Sequence, residues 1–404
     1  MSSYWTCACR GAIFSLSVEE SGRQIKTMGA RLILCLLGLI GGCGLGCRCA
    51  RTCVETPFPG LKAELQQANT NGGCLRLLIV HGMSNHTRGY SSNFVDSIAQ
   101  KLHLGYTRTN LQTLTNAFGQ VNGYLTSTEL ARNKTNRLRA YELTWSPATY
   151  SEKTNRFEFD SLLNGKRASL NRDTKAELIN DGFADAVLYL NNQFRPKIQE
   201  PVTNAIFRIL GDQFTTNDLF LIITHSLGSK LTFDCLNLLK DRLKYADTRE
   251  ANSLTNLATR LSYLIMLANQ VPLLRLGETN SFEDEKTAPR TSAVQKFLEM
   301  RQQAVAPPTL KLIAVTDPND LLSYPLRKSD LITYPDETIE FGNIFICNAP
   351  AFLGWVANPL KAHEGYFDNP KLIQLLVKGY KGKPKVCLKE PKPARKKVVP
   401  PTSQ

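Results

Sequence analysis

Residues 221–229 read LIITHSLGS: four apolar residues run into Thr224-His225-Ser226-Leu227-Gly228, and polar, helix-forming sequence follows. A buried strand that ends in a serine makes one of two things. It is an ordinary strand-to-helix turn with the serine as N-cap, or a sharp bend that holds a hydroxyl up for reaction. The second use has requirements. A serine hydroxyl is a weak nucleophile at neutral pH and needs a base within hydrogen-bond reach. Histidine suits that task, and a carboxylate must fix its tautomer and stabilise the imidazolium. The chain has five histidines, His81, His86, His103, His225 and His363, and two aspartates, Asp317 and Asp320, in the stretch AVTDPNDLLSYPL.

The elements that must position these residues are continuous apolar runs. CLRLLIVHG (74–82), NRLRAYELTWSP (136–147), DLFLIITHS (218–226), SYLIMLANQVPLL (262–274), LKLIAVTD (310–317) and TIEFGNIFICN (338–348) read as six strands. Between them lie helical patterns at 94–104, in the later part of 148–216, at 230–243 and at 291–304, with a final helix at 369–380. Strands apolar throughout and alternating with helices predict a mostly parallel sheet covered on both faces. Ligands of such sheets bind at the carboxyl ends of the strands. The reactive residues expected there are His81-Gly82-Met83, Ser226, Asp317 or Asp320, and His363.

On these motifs and their order, residues 74–380 resemble the α/β-hydrolase superfamily in its serine lipase and esterase branch, where Ser, Asp or Glu, and His follow one another along the chain. The resemblance implies Ser226 as nucleophile and His363, in NPLKAHEGYFDNP, as base. It implies Asp320 as the acid, with Asp317 as the alternative, the other aspartate bracing its loop. Backbone N–H groups of Met83 and Leu227 would form the oxyanion hole. His81 would be structural, and His225, beside the serine on the elbow, would point away from it. Gly228 fits the elbow, whereas Thr224 stands where the family pattern has glycine. The reaction implied is hydrolysis of a carboxylic ester through an acyl-enzyme, with no metal or organic cofactor. A thioesterase, amidase or acyltransferase using the same residues, or a catalytically silent binding scaffold, are the alternatives.

The net charge of +14 is unevenly spread. Nine basic residues stand against Glu390 between Lys378 and Lys397, while the body is nearly balanced, which argues against a nucleic-acid-binding core. The Lys- and Pro-rich tail, 381–404, is expected to be disordered, with a possible affinity for anionic lipid headgroups. Seven of eleven cysteines lie in the first 53 residues, a distribution unlike a disulfide scaffold, and Cys235 and Cys347 read as buried thiols. Residues 28–47 carry Arg31, the apolar run Leu32–Ile40 and then small residues, the layout of a secretory signal. Ile40-Gly41-Gly42-Cys43 resembles the bacterial lipobox, which implies lipidation of Cys43 and a membrane-anchored lipoprotein of the cell envelope; a secreted protein, or one anchored by an uncleaved N-terminal segment, is the alternative. The expected organisation is an extension at 1–27, this signal at 28–47, a tether at 48–70, and a catalytic domain at 71–380. Cap-like insertions are expected at 148–216 and 277–309, and the basic tail closes the chain. A small-molecule or lipid ester as substrate and a membrane surface as partner are the matching expectations.

Overall fold

The computed structural model describes residues 7–9, 12–14, 49, 51–133, 137–278, 294–303, 309–327, 338–352 and 355–388. The whole 28–47 segment with Cys43, residues 279–293 and the tail beyond Leu388 lie outside the described residues.

Eleven strands are described: β1 Cys7–Cys9, β2 Ala12–Phe14, β3 Cys53–Val54, β4 Leu75–Val80, β5 Gly105–Thr115, β6 Val121–Ala131, β7 Arg137–Thr144, β8 Leu219–His225, β9 Leu261–Leu267, β10 Leu310–Thr316 and β11 Ile339–Phe345. The first two pair only with each other, and the other nine form one sheet in the order β3-β11-β10-β9-β8-β4-β7-β6-β5. From β11 to β7 all neighbours are parallel, and these are the six expected strands. The antiparallel hairpin β5–β6 extends one edge and the two-residue β3 the other. The fold is therefore the expected α/β class, with helices on both faces.

Strand periodicity explains the two layers. Leu78, Val80, Phe220, Ile222, Leu264, Met266, Leu312 and Ala314 point into one core. Leu77, Ile79, Leu221, Ile223, Ile265, Leu267, Ile313 and Val315 point into the other. The first core is covered by Arg195–Gly211, Leu227–Leu243, Thr248–Arg260 and Gln295–Gln302. The second is covered by Leu61–Thr70, Ser92–Leu102 and Pro370–Lys378. Each leucine or isoleucine buried this way contributes about 1.5–3 kcal/mol.

Three boundaries differ from expectation. The strand expected over 262–274 stops at Leu267, because Pro272 and the Asn269 side chain, which accepts from Val271 N at 3.2 Å, start a short helix at Val271. The expected tether belongs to the domain from Cys53 onward, since β3 joins the sheet and Leu61, Leu65 and Ala68 enter the core. The reading of Cys347 as a buried thiol is corrected: it forms a disulfide with Cys49, and Cys53 forms another with Cys387. The second bridge, with Lys385 N donating to Glu55 O at 3.1 Å, fixes the first residues of the segment expected to be a disordered tail.

Candidate active site

From β4 the chain crosses to β5 at the far edge, comes back inward through β6 to β7 beside β4, then passes β4 to β8 and continues the other way to β11. The loops after β4 and β8 thus diverge at their carboxyl ends, the place where ligands of such sheets bind. Ser226 closes β8 there, and Gly82 follows β4.

Ser226 has φ 55° and ψ −125°, and Leu227–Leu243 begins at the next residue. This left-handed backbone is costly for a residue with a Cβ, on the order of 1–3 kcal/mol, and persists only where neighbours enforce it. Ser226 N donates to Leu267 O at 2.9 Å. Two glycines make the bend possible. A Cβ on Gly82 would lie 2.5 Å from Ser226 Cβ, and one on Gly228 would lie 2.6 Å from His81 O. Thr224, the departure from the family pattern, is fully buried, and its hydroxyl lies 3.0 Å from Ser229 Oγ and donates to Ile265 O at 3.4 Å. The larger side chain is accommodated because Ser229 of the following helix and Ile265 of the neighbouring strand β9 supply it with polar partners.

His363 lies in the short helix Pro359–Glu364, whose Asn358 side chain accepts from Lys361 N. Its Nε2 is 3.1 Å from Ser226 Oγ. Its Nδ1 is 2.9 and 3.1 Å from the two oxygens of Asp320. Asp320 also accepts from Leu322 N and from the Tyr366 hydroxyl, each at 2.9 Å. Burial alone would raise the Asp320 pKa, but the hydrogen bond and charge of His363, with the Leu322 and Tyr366 donors, outweigh it and hold the carboxyl below its usual value. Asp317 does not reach the histidine. It accepts from Asn319 N at 2.8 Å in an Asx turn and from Asn348 N and Ala349 N, so it ties the loop after β10 to the loop after β11.

His225 turns away from Ser226. Its Nε2–H donates to His363 O at 2.9 Å, so the residue beside the serine anchors the backbone of the histidine that faces it. Burial, and then the neighbouring His363, lower its pKa to about 3. His81 is fully buried beneath the loop after β4. Its Nδ1–H donates to Gly82 O at 2.8 Å and its Nε2 accepts from Trp145 N at 3.0 Å, which defines a neutral tautomer. His86 donates to Met83 O at 3.0 Å, and burial lowers its pKa to about 4. His103 is the left-handed C-cap of Ser92–Leu102, away from these residues.

Leu227 follows the serine directly, and Met83 follows Gly82, which packs against Ser226. Leu227 is the first residue of its helix, so its N–H has no intrahelical partner. Met83 is followed by Ser84, at φ 92°, whose N–H donates to Asp185 Oδ2 at 2.8 Å. Asp185 is fully buried and paired with buried Lys153 at 2.9 Å. Asn85 Nδ2 donates to Asp181 Oδ1 at 2.6 Å. The helices of 147–190 therefore hold the Met83 loop in place. This bracing was not legible in the sequence, because it joins residues about a hundred positions apart. In the same segment Phe159, Leu162 and Leu163 are exposed and Phe157 is half-buried.

Ser226 is only 1 % exposed. A cavity of about 520 Å³ lies behind the histidine loop, lined by Cys347, Asn348, Lys361, Glu364, Asp368 and Asn369 among others, but its walls include neither Ser226 nor His363 nor Asp320.

No family model and no curated protein matches the chain. Among solved structures, the chain is similar to acetyl xylan esterase 1 from Thermoanaerobacterium sp. JW/SL YS485, with 7 % identity, a TM-score of 0.22, and 70 % of this chain and 90 % of that one covered. A likeness at that level supplies no residue correspondence, and the site rests on its own geometry.

Proposed function

We propose that the chain is a serine hydrolase that cleaves carboxylic esters, with lipid or acyl esters as the substrate class. The observation that carries this reading is the unbroken line of contacts from Ser226 Oγ through the His363 ring to Asp320, built on a strained turn at the serine. Ser226 Oγ attacks the ester carbonyl carbon while its proton passes to His363 Nε2. The oxyanion accepts from the N–H groups of Met83 and Leu227. The carbon–oxygen bond to the leaving group breaks, and the alcohol leaves with the proton held on Nε2. Water then gives a proton to Nε2 and attacks the acyl-enzyme, and the acid departs as Ser226 recovers its hydrogen. Asp320 keeps Nδ1 protonated and stabilises the imidazolium throughout.

The two disulfides support maturation in an oxidising compartment. Together with the apolar run before Cys43 they favour an exported protein, held at a membrane by lipidation of that cysteine.

A fluorophosphonate probe tests the catalytic reading. Labelling that is lost in Ser226→Ala and in heat-unfolded protein is the expected result. Folded protein that takes no label would replace the hydrolase by a silent scaffold. Label retained by Ser226→Ala would move the nucleophile elsewhere.

A further inference from the structure

The disulfides fix where both ends of the chain leave the domain. His225, at the end of β8, is level with Leu267, which is level with Val315. One residue on, Thr316 is level with Phe345, and Phe345 with Cys53. Cys53 therefore stands at the same height as Ser226, four strands away, roughly 19 Å along the carboxyl edge of the sheet. Cys387 is bonded to it, and Cys49 is bonded to Cys347, two residues past the end of β11. So the chain leading from the apolar run Leu32–Ile40 and the chain leading into the basic tail both leave at the edge that carries the serine. Ile40 precedes Cys49 by nine residues, a reach of roughly 30 Å at full extension. Beyond Leu388 the sequence holds five basic residues against Glu390.

The same corner exposes apolar side chains. The turn after β11 presents Phe352, Trp355 and Val356, with Trp355 92 % exposed. Val386 and Leu388, on either side of the Cys387 bridge, are exposed as well. Arg51, Lys381, Lys383 and Lys385 are exposed beside them. The nearby Glu55 is engaged with Asn343, whose backbone and side-chain N–H groups donate to it at 3.0 and 2.8 Å. Exposed tryptophan and aliphatic residues, together with exposed cations, at the end of the sheet where an apolar segment and a basic segment depart, match the interface of a bilayer with anionic headgroups.

We propose that this corner is a docking surface for an anionic phospholipid bilayer, and that docking turns the Ser226 end of the sheet towards the lipid. Trp355 and its apolar neighbours enter the headgroup region, while Lys381, Lys383 and Lys385, beside Cys387, meet lipid phosphates. The proposal goes beyond the catalytic reading and is tested apart from it.

The test uses the full chain carrying Ser226→Ala, which leaves the vesicles chemically intact, and Trp5→Phe. Trp145 is fully buried, so the lipid-dependent emission is that of Trp355. Vesicles are phosphatidylcholine alone or mixed with phosphatidylglycerol, with or without brominated acyl chains. On phosphatidylglycerol vesicles the emission should shift to the blue and be quenched by bromolipid. Trp355→Ala, at a side chain too exposed to matter for folding, should weaken co-sedimentation about tenfold. Added salt should weaken it further, since the cations are exposed. Protein that sediments with vesicles while Trp355 stays unquenched would overturn the proposal, because the terminal segments would then be binding alone. Failure to associate, or equal association with pure phosphatidylcholine, would overturn it too. A silent fluorophosphonate assay would leave these outcomes unchanged.

Discussion

Tyr366 holds Asp320. Its hydroxyl donates to Oδ2 at 2.9 Å and accepts from Asp317 N at 2.8 Å, so one buried phenol joins the carboxylate facing His363 to the loop that carries it. Tyr366 follows His363 by three residues, and this spacing couples the two sides of the site. Tyr366→Phe should leave a buried carboxylate short of one donor and the Asp317 N–H short of its acceptor. A hydrogen bond to a charged group contributes about 1.5–3 kcal/mol. The expected result is a stability loss of that size in chemical denaturation, with ester hydrolysis lowered about tenfold in kcat. Unchanged kcat and unchanged midpoint would remove Tyr366 from the support of the site.

The two aspartates should separate cleanly. Asp320→Asn keeps the shape but offers His363 Nδ1 an amide in place of a carboxylate, and up to ~10⁴-fold in kcat should be lost. Asp317→Asn should act on stability, because its oxygens accept from Asn319 N, Asn348 N and Ala349 N at a loop junction rather than from the histidine. Urea midpoints and kcat measured on both variants check this. A large kcat loss confined to Asp317→Asn would exchange their roles.

The pH dependence of stability follows from His225 and His86, whose folded-state pKa values are lowered to about 3 and about 4 from 6.5. Burial is the main cause in both. Above 6.5 both states are neutral, and these groups add no pH dependence. Below 6.5 the unfolded chain binds protons that the folded chain refuses, so stability falls with falling pH until the folded-state values are reached. At pH 4.5 each histidine should account for about 2–3 kcal/mol of loss relative to pH 7. His225→Gln should flatten the curve between those values while lowering stability at pH 7, since a donor to His363 O is perturbed. Denaturation series at pH 7 and 4.5 decide it. A slope as steep as that of the parent protein would mean that His225 titrates normally in the folded state.

The six parallel strands were legible because strands buried on both faces are written as uninterrupted apolar runs. The hairpin β5–β6 was not, because most of β5 faces solvent and its sequence, GYTRTNLQTLT, has no such run. Its threonines and the turn closed by Asn116 N donating to Gln120 O were the available signals. Ser226 and Asp320 were readable as residues just past apolar strands, and His363 as a histidine between the last strand and the last helix. What could not be read were pairings across the chain: Asp185 with Ser84 N, His225 with His363 O, and Cys49 with Cys347. Clustered cysteines near one end gave no hint that their partners lay about 300 residues away, because loop closure on that scale is set by the sheet and not by local spacing.

That long closure gives the last prediction. Cys49–Cys347 and Cys53–Cys387 close separations of 298 and 334 residues; the first ties the residues before β3 to the chain just past β11, and the second ties β3 to the segment after the last helix. Removing a native disulfide costs about 2–5 kcal/mol, part of it through the greater freedom of the unfolded chain. Cys74 and Cys235 are buried free thiols. Burial pushes the Cys74 pKa up to about 11 and raises that of Cys235 further, so neither is a reactive thiolate in the folded protein. Protein matured under oxidising conditions should therefore resist alkylation by iodoacetamide until unfolded, and should then take label at Cys74 and Cys235 alone among these six cysteines. Digestion without reductant should yield the two bridged peptides by mass spectrometry. Reduction should lower the urea midpoint by an amount that the double variant Cys49→Ser with Cys347→Ser reproduces in part. Free Cys49 or Cys387 in that digest would remove the staples, and with them the reason for both terminal segments to leave beside the serine.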